Sequence, residues 1–374
     1  MRRVRLHRLA VPLRTPFRTS FGTQTDRDVV LVEVTTGDGA TGWGECVAPA
    51  DPVYSSEHAA GALDVLRRFL APAVVGVGDL HVTDVARVTA ATKGHPMARA
   101  ALEQAVLDAA LRTAGASLAD ALGVEVDRVP CGVSVGIPSG GPPALVDAVG
   151  RHLDEGYLRV KCKVEPGFDV APLAAVRAAF PDAALQVDAN AAYVLGGGGP
   201  DDADVLAGLD ELGLVLVEQP LAADALLDHA RLAERLATPL CLDESITSVT
   251  RTRDALDLGA CTILNLKPGR IGGVLPTLAV HATCVARGVP TWIGGMLETG
   301  VARAVNVALA GLDGIGFPGD TSASDRYVVE DLTEPFVLAD GHLPVPREPG
   351  ASRAPLPDRL AAATSAPPVD VVVA

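Results

Sequence analysis

With 374 residues the chain is long enough to bury a large core and exceeds the usual size of one domain, so a large domain with a smaller companion is expected. Apolar residues at 48% and charged residues at 21% exclude a disordered or fibrous chain. The 31 basic against 46 acidic residues give a formal charge of -15, which argues against a nucleic-acid or anionic membrane partner.

Six cysteines form no C-x-x-C pair and lie mostly in apolar runs, as expected of reduced thiols in a cytoplasmic enzyme. No apolar run reaches the ~20 residues of a spanning helix, and no signal-peptide core precedes the first polar stretch.

Residues 2–13, 28–35 and 41–46 read as three strands, the last two joined through the hairpin signal Thr36-Gly37-Asp38-Gly39. The intervening Thr15-Pro16-Phe17-Arg18-Thr19-Ser20-Phe21-Gly22-Thr23 is too rich in turn formers for a scaffold strand and reads as a flap or a meander loop. Helical spacing follows at 57–71 and 97–113, where Ala101, Leu102, Ala105, Val106, Ala109 and Leu111 form an apolar stripe. This α+β unit is expected to occupy residues 1–125.

From Cys131 the pattern changes to short strands alternating with Ala/Leu-rich helices. Strands are expected near 131–135, 158–164, 185–189, 214–218, 239–243, 262–267, 290–294 and 314–317. Helices are expected near 142–155, 169–179, 201–211, 224–236, 251–258, 273–287 and 300–310. Eight strands with short loops in under 200 residues read as an α/β barrel lacking its eighth helix, spanning 126–326. A doubly wound open sheet is the alternative, but it need not place a charge on five successive strands. Two extended runs at 335–338 and 342–345 are expected to return to the first unit, completing it over about 327–350, and the Ala- and Pro-rich residues 351–374 to pack peripherally or fray.

The polar strand ends recur with the period of one βα unit. Lys163 to Asp188 is 25 residues, Asp188 to Glu218 is 30, Glu218 to Asp243 is 25 and Asp243 to Lys267 is 24. Such a period brings all five to the C-terminal rim, where barrel active sites sit. Each acid alone could simply cap the next helix. Together, without a histidine or cysteine beside them, Asp188, Glu218 and Asp243 form an all-oxygen set that suits Mg²⁺ or Mn²⁺ better than zinc.

Lys163 and Lys267 flank this trio by one strand on either side. A divalent ion on a substrate carboxylate would take the charge that develops as the adjacent carbon loses its proton, giving an enediolate, with a lysine as base. Its ammonium pKa is expected to fall in a desolvated, metal-adjacent pocket. Lys161 shares the strand face of Lys163 and is expected to bind the carboxylate or assist the base. Asn190 is expected at the substrate or the metal, with Glu244 and Asn265 packed around the ligands. Arg270, three residues past Lys267, tunes that lysine or anchors a loop.

Lys161-Cys162-Lys163, Asp188-Ala189-Asn190, Glu218-Gln219-Pro220, Asp243-Glu244-Ser245 and Lys267-Pro268-Gly269-Arg270 resemble the active-site motifs of the enolase superfamily, muconate lactonizing enzyme subgroup. The runs 18–23, 130–136, 294–300 and 318–325 narrow the resemblance to the N-acylamino acid racemase and o-succinylbenzoate synthase family, over about residues 5 to 350. The resemblance implies a capping domain over a (β/α)7β barrel, with Mg²⁺ on Asp188, Glu218 and Asp243; Mn²⁺ or Co²⁺ are possible substitutes.

It further implies that Lys163 and Lys267 are opposed bases of racemisation. In a syn elimination of water yielding 2-succinylbenzoate, Lys163 would remove the α-proton and Lys267 would stabilise the enediolate. Ser20 and Phe21 would lie in a mobile capping loop, and Ser134, Ile293, Met296 and Phe317 would line the acyl or succinyl end of a small carboxylate substrate. A homo-oligomer is expected.

An N-succinylamino acid racemase that also carries synthase activity is the first expectation, on the strength of Lys-Pro-Gly-Arg. The alternatives are a dedicated synthase of menaquinone biosynthesis, a dipeptide epimerase or lactonizing enzyme, and a barrel kept only for binding. The last would call for loss of a lysine or a metal carboxylate, and none is lost.

Overall fold

The computed structural model describes residues 1–196 and 202–372. Its first unit is an antiparallel sheet of β1 (Arg3–Thr19), β2 (Gly22–Thr35) and β3 (Thr41–Cys46), backed by the long helix Pro96–Ala114. Val4 and Leu6 pack towards the helices, whereas Leu9, Val11 and Leu13 pack towards Val301, Tyr327 and Val328. The even-numbered and odd-numbered residues fall on opposite faces because β1 keeps an unbroken register with β2 from Arg3 to Pro12. Both faces of the sheet are therefore covered. Gly42 and Gly44 permit the closest part of that packing, because a Cβ at either would collide with the backbone of Ala105 or Ala101.

The segment 15–23 differs from the expected loop. It prolongs β1 and β2 into a hairpin arm that turns at Ser20 and Phe21, with Phe17 paired to Gln24 and Thr19 to Gly22. A register shift between Pro12 and Phe17 absorbs Pro16, one of the turn formers that made the stretch look irregular.

After β4 (Arg128–Pro130) come seven parallel strands, β5 (Gly132–Val135), β6 (Arg159–Lys163), β7 (Leu185–Asp188), β8 (Val217–Glu218), β9 (Leu240–Leu242), β10 (Ile263–Leu266) and β11 (Thr291–Ile293), adjacent in sequence order. The expected eighth strand at 314–317 forms no continuous ladder. Ile315 bridges to Thr291 and Gly319 to Cys131, which closes the ring between β11 and β5. Gly314, Gly316, Pro318 and Gly319 explain the interruption, since glycine weakens a strand and proline cannot donate to it. The outer helices follow the Ala/Leu pattern. The expected helix 201–211 begins at a residue outside those described, and it stops at Ala207 before Gly208.

One expectation about the C-terminal region is corrected, and of the two outcomes expected for the tail peripheral packing holds. The run at 342–345 gives β12 (His342–Pro344), which pairs with β4 at the start of the barrel instead of with the first sheet. The tail does not fray over its described residues, because β13 (Thr364–Val372) pairs with β1 as a fourth strand of that sheet. Val369 and Val371 face the helical side of the core, Asp370 pairs with Arg5, and Pro367-Pro368 fall at the register shift. Residues 373 and 374 lie outside the described part.

Two glutamates of the first unit lock it onto barrel helices. Glu103 accepts from the backbone N–H of Val274 at 2.6 Å and Leu275 at 2.9 Å. Glu45 accepts from Thr299 N and Oγ1 at 3.1 and 2.6 Å. Each carboxyl thus satisfies donors at a helix start.

Candidate active site

Parallel register puts Ser134 beside Lys161, Lys163 beside Asp188 and Asp188 beside Glu218. Because side chains alternate along a strand, Arg159, Lys161 and Lys163 of β6 turn one way, while Val160 and Cys162 join the apolar layer under the helices. Cys162 is thereby kept out of the chemistry.

Asp188, Glu218 and Asp243 are fully buried, and one oxygen from each lies within 4.8 Å of the others. This all-carboxylate set fits a hard divalent cation, and buried acids so close together need positive charge between or around them. Lysines supply part of it. Lys163 Nζ donates to Asp188 Oδ2 at 2.5 Å, Lys161 Nζ to Glu218 Oε2 at 2.9 Å, and Lys267 Nζ to Asp243 Oδ2 at 2.7 Å. Arg270 also pairs with Asp243 and donates to the carbonyls of Ile246 and Asn265.

The surrounding residues fix these groups. Asn265 Nδ2 donates to Glu218 Oε1 at 2.6 Å. Asn190 accepts from Lys163 at 2.8 Å and donates to Glu244 at 3.0 Å, in a left-handed backbone conformation with φ 45°. Burial opposes ionisation of Asp188, yet Lys163 and Lys161 outweigh it and hold the carboxyl at about 2. Burial, reinforced by Asp188, lifts Glu244 to about 7.

The two flanking lysines differ. Burial lowers Lys163, as expected of a base. It acts in the same direction on Lys267, but Tyr54, Glu218, Glu244 and Asp188 overcome it and leave that ammonium raised. One amine is biased towards giving up its proton and the other towards keeping it.

A cavity opens over this cluster, between the barrel rim and the capping unit. Of the expected site residues, Lys161, Lys163, Asn190, Lys267, Phe21, Ser134 and Met296 line it. Ser20 instead pins the hairpin tip to the barrel, its hydroxyl donating to Ala189 O at 3.0 Å. Ile293 is placed elsewhere, fully buried in the outer layer, because its neighbour Trp292 takes the inward position on β11. Phe317 packs beside Trp292 and borders a separate cleft with Val126 and Pro130. It precedes the rim residue Asp320 by three positions, about 10 Å of extended chain.

Sequence reasoning missed Tyr54 and Arg159. Tyr54 reaches from a loop of the first unit to donate to Asp243 Oδ1 at 3.0 Å, and Lys267 Nζ lies 4.9 Å from its ring centre. Nothing in its local sequence marks it. Arg159 shares the face of the two lysines, and that period-two signal was legible. With Lys161 it clamps Asp320, at 2.8 and 2.6 Å. Burial works against that carboxylate, but Lys161 and Arg159 keep it well below the usual range.

Comparison with known proteins agrees with this arrangement. Residues 1–123 match the mandelate racemase / muconate lactonizing enzyme N-terminal domain, and residues 144–358 match the enolase C-terminal domain-like family. An N-succinylamino acid racemase from Amycolatopsis sp is 54% identical, with 97% of each chain covered. An o-succinylbenzoate synthase from Geobacillus kaustophilus is 45% identical over 92% of this chain and 91% of that one. A crystal structure of an enolase superfamily member from Listeria innocua superposes with a TM-score of 0.93 at 34% identity, covering 99% of this chain and 98% of its own. With its capped barrel, buried acid trio and flanking lysines, the chain belongs to the enolase superfamily, in the mandelate racemase / muconate lactonizing enzyme family.

Proposed function

We propose that the protein racemises N-acylamino acids, N-succinylamino acids foremost, and also dehydrates a cyclohexadiene carboxylate to 2-succinylbenzoate. The observation that carries this reading is the pair Lys163 and Lys267, each hydrogen-bonded to a different acid of the trio and both lining one cavity. Asp188, Glu218 and Asp243 would hold Mg²⁺, with Mn²⁺ or Co²⁺ as substitutes. The bound cation supplies positive charge to a substrate carboxylate and so makes the adjacent carbon more acidic.

In racemisation Lys163 Nζ takes the α-proton from one face and Lys267 Nζ delivers one from the other, with exchanged roles for the opposite enantiomer. In dehydration Lys163 takes the α-proton, and Lys267 remains an ammonium that stabilises the developing negative charge. Lys161, held by Asp320, adds a fixed positive charge to the same wall. The reading places the enzyme in the cytoplasm as a homo-oligomer.

A dedicated synthase is the second reading, supported by the 45% identical relative of that name. A dipeptide epimerase fits less well, because both oxygens of Asp320 are already taken by Arg159 and Lys161 and leave no free anion there for a substrate ammonium. Steady-state kinetics with Mg²⁺ on N-succinyl- and N-acetylamino acids, beside the cyclohexadiene substrate, tests the proposal. Turnover of both classes is expected. Dehydration without racemisation would leave the dedicated synthase, and no α-proton exchange in any substrate would reject both readings.

A further inference from the structure

We infer that Arg27 anchors a second carboxylate of the substrate, the one at the far end of its acyl chain. The inference rests on the proposed function and names the group that selects a succinyl over a neutral acyl substituent.

Arg27 lies on β2 and is only 2% exposed, yet it lines the catalytic cavity together with Gln24, Tyr54, Met296 and Glu298. Its Nη2 donates to Val47 O at 3.1 Å, and its buried Nε has no partner. Among the described residues no carboxylate forms an ion pair with it. Arg159 and Arg303 also have a partnerless Nε, but the other buried arginines have more partners for their guanidinium groups. Arg159 has Asp320 and the Pro318 carbonyl, Arg270 has Asp243 and two carbonyls, and Arg303 has the carbonyls of Ser322 and Glu298.

The acids whose charge Arg27 feels most are Glu45 and Glu298, and each has other partners. Glu45 holds Thr299 and the Ala302 N–H, and Glu298 Oε1 accepts from Asn306 at 3.0 Å. Burial accordingly lowers the Arg27 guanidinium from its ordinary value, with Glu45 and Glu298 compensating only in part. A desolvated guanidinium with unused donors on a cavity wall is complementary to a carboxylate.

The wall matters. The catalytic lysines and the acid trio belong to the barrel, whereas Arg27 belongs to the capping sheet. A substrate whose reacting carboxylate sits on the barrel wall turns its other end towards the cap. A succinyl group carries a carboxylate at that end, and an acetyl group does not.

The test compares N-succinylphenylalanine with N-succinamoylphenylalanine, in which a primary amide replaces the distal carboxylate. In the wild-type holoenzyme kcat/KM is expected to favour the succinyl compound by about 10- to 100-fold, chiefly through KM. Arg27→Gln should bring the ratio close to one, and Arg27→Lys should retain part of it. Because the ratio is taken within one preparation, partial misfolding of a variant does not alter it.

Calorimetric binding of the same pair in the presence of Mg²⁺ reads the preference independently of turnover, so an absence of racemisation would reject the proposed function while the role of Arg27 is still decided. Equal affinity in the wild type would overturn the inference, as would a preference that survives Arg27→Gln. A preference that instead follows N-acetylglutamate over N-acetylglutamine would assign the cation to the side-chain carboxylate and overturn the acyl assignment.

Discussion

Two groups of buried carboxylates are set apart by their partners. At the barrel rim Asp188, Glu218, Asp243 and Asp320 face lysines and arginines; the cations hold Asp188 at about 2 despite its burial, while burial and the neighbouring Asp188 still raise Glu218. At the seam between the units Glu45 and Glu103 face mainly backbone N–H groups, and burial pushes both to about 7. Equal burial therefore does not mean equal charge. Full cations make the rim a place for proton transfer and metal binding, whereas partial charges at helix starts make the seam a docking device.

The largest effects should come from breaking the rim. Lys163→Ala and Lys267→Ala should each lower racemisation by about 10²- to 10⁴-fold, the usual contribution of a positioned base. Each variant should still exchange the α-proton of one enantiomer with solvent deuterium, and unchanged racemisation in either would refute the paired assignment. Glu218→Gln should weaken Mg²⁺ binding beyond the about 10- to 100-fold typical of changes to groups around metal ligands. Calorimetric titration with Mg²⁺ measures this directly, and affinity equal to wild type would remove Glu218 from the ligand set.

Asp320→Asn sharpens the comparison by leaving Arg159 and Lys161 buried without their shared anion. Such a loss is expected to cost about 3–5 kcal/mol of stability, measured by denaturant unfolding. A change within about 0.5 kcal/mol would show that the clamp contributes little.

At the seam the effect should be smaller and should depend on pH. The Glu103 carboxyl titrates at about 7 in the folded protein against 4.5 as its ordinary value, so the folded state holds the extra proton between these values. Its stabilising contribution is full below about 4.5 and is lost as pH rises through about 7, at most ~3 kcal/mol. Glu103→Gln should flatten that part of the stability profile while kcat changes little, and a profile as steep as wild type would contradict the seam's description. Tyr54→Phe removes one hydrogen bond to Asp243 and should cost about 1 kcal/mol in transition-state stabilisation, read from kcat/KM.

Much of the rim was legible because it obeys two simple periods. Side chains repeat every two residues along a strand, and charged strand ends repeat every 24 to 30 residues along the chain. These periods located Lys161, Lys163, Asp188, Glu218, Asp243 and Lys267, and register then brought them together. On β11 the same alternation puts Ile293 opposite Trp292 and out of the cavity, whereas 314–317 forms no ladder to which it could apply. The resemblance that suggested them carries no parity.

The sequence by itself determined the alternation of strand and helix, the acid trio and the flanking lysines, because each is encoded within one βα unit. Only the tertiary structure decided the rest. Tyr54 and Arg27 enter the site from the capping unit, across a separation in sequence that no local pattern spans. The tail becomes a strand only because β1 offers it an unpaired edge, and Arg27 becomes conspicuous only once its surroundings prove to lack a paired carboxylate. Whether a charge is satisfied depends on what faces it in space.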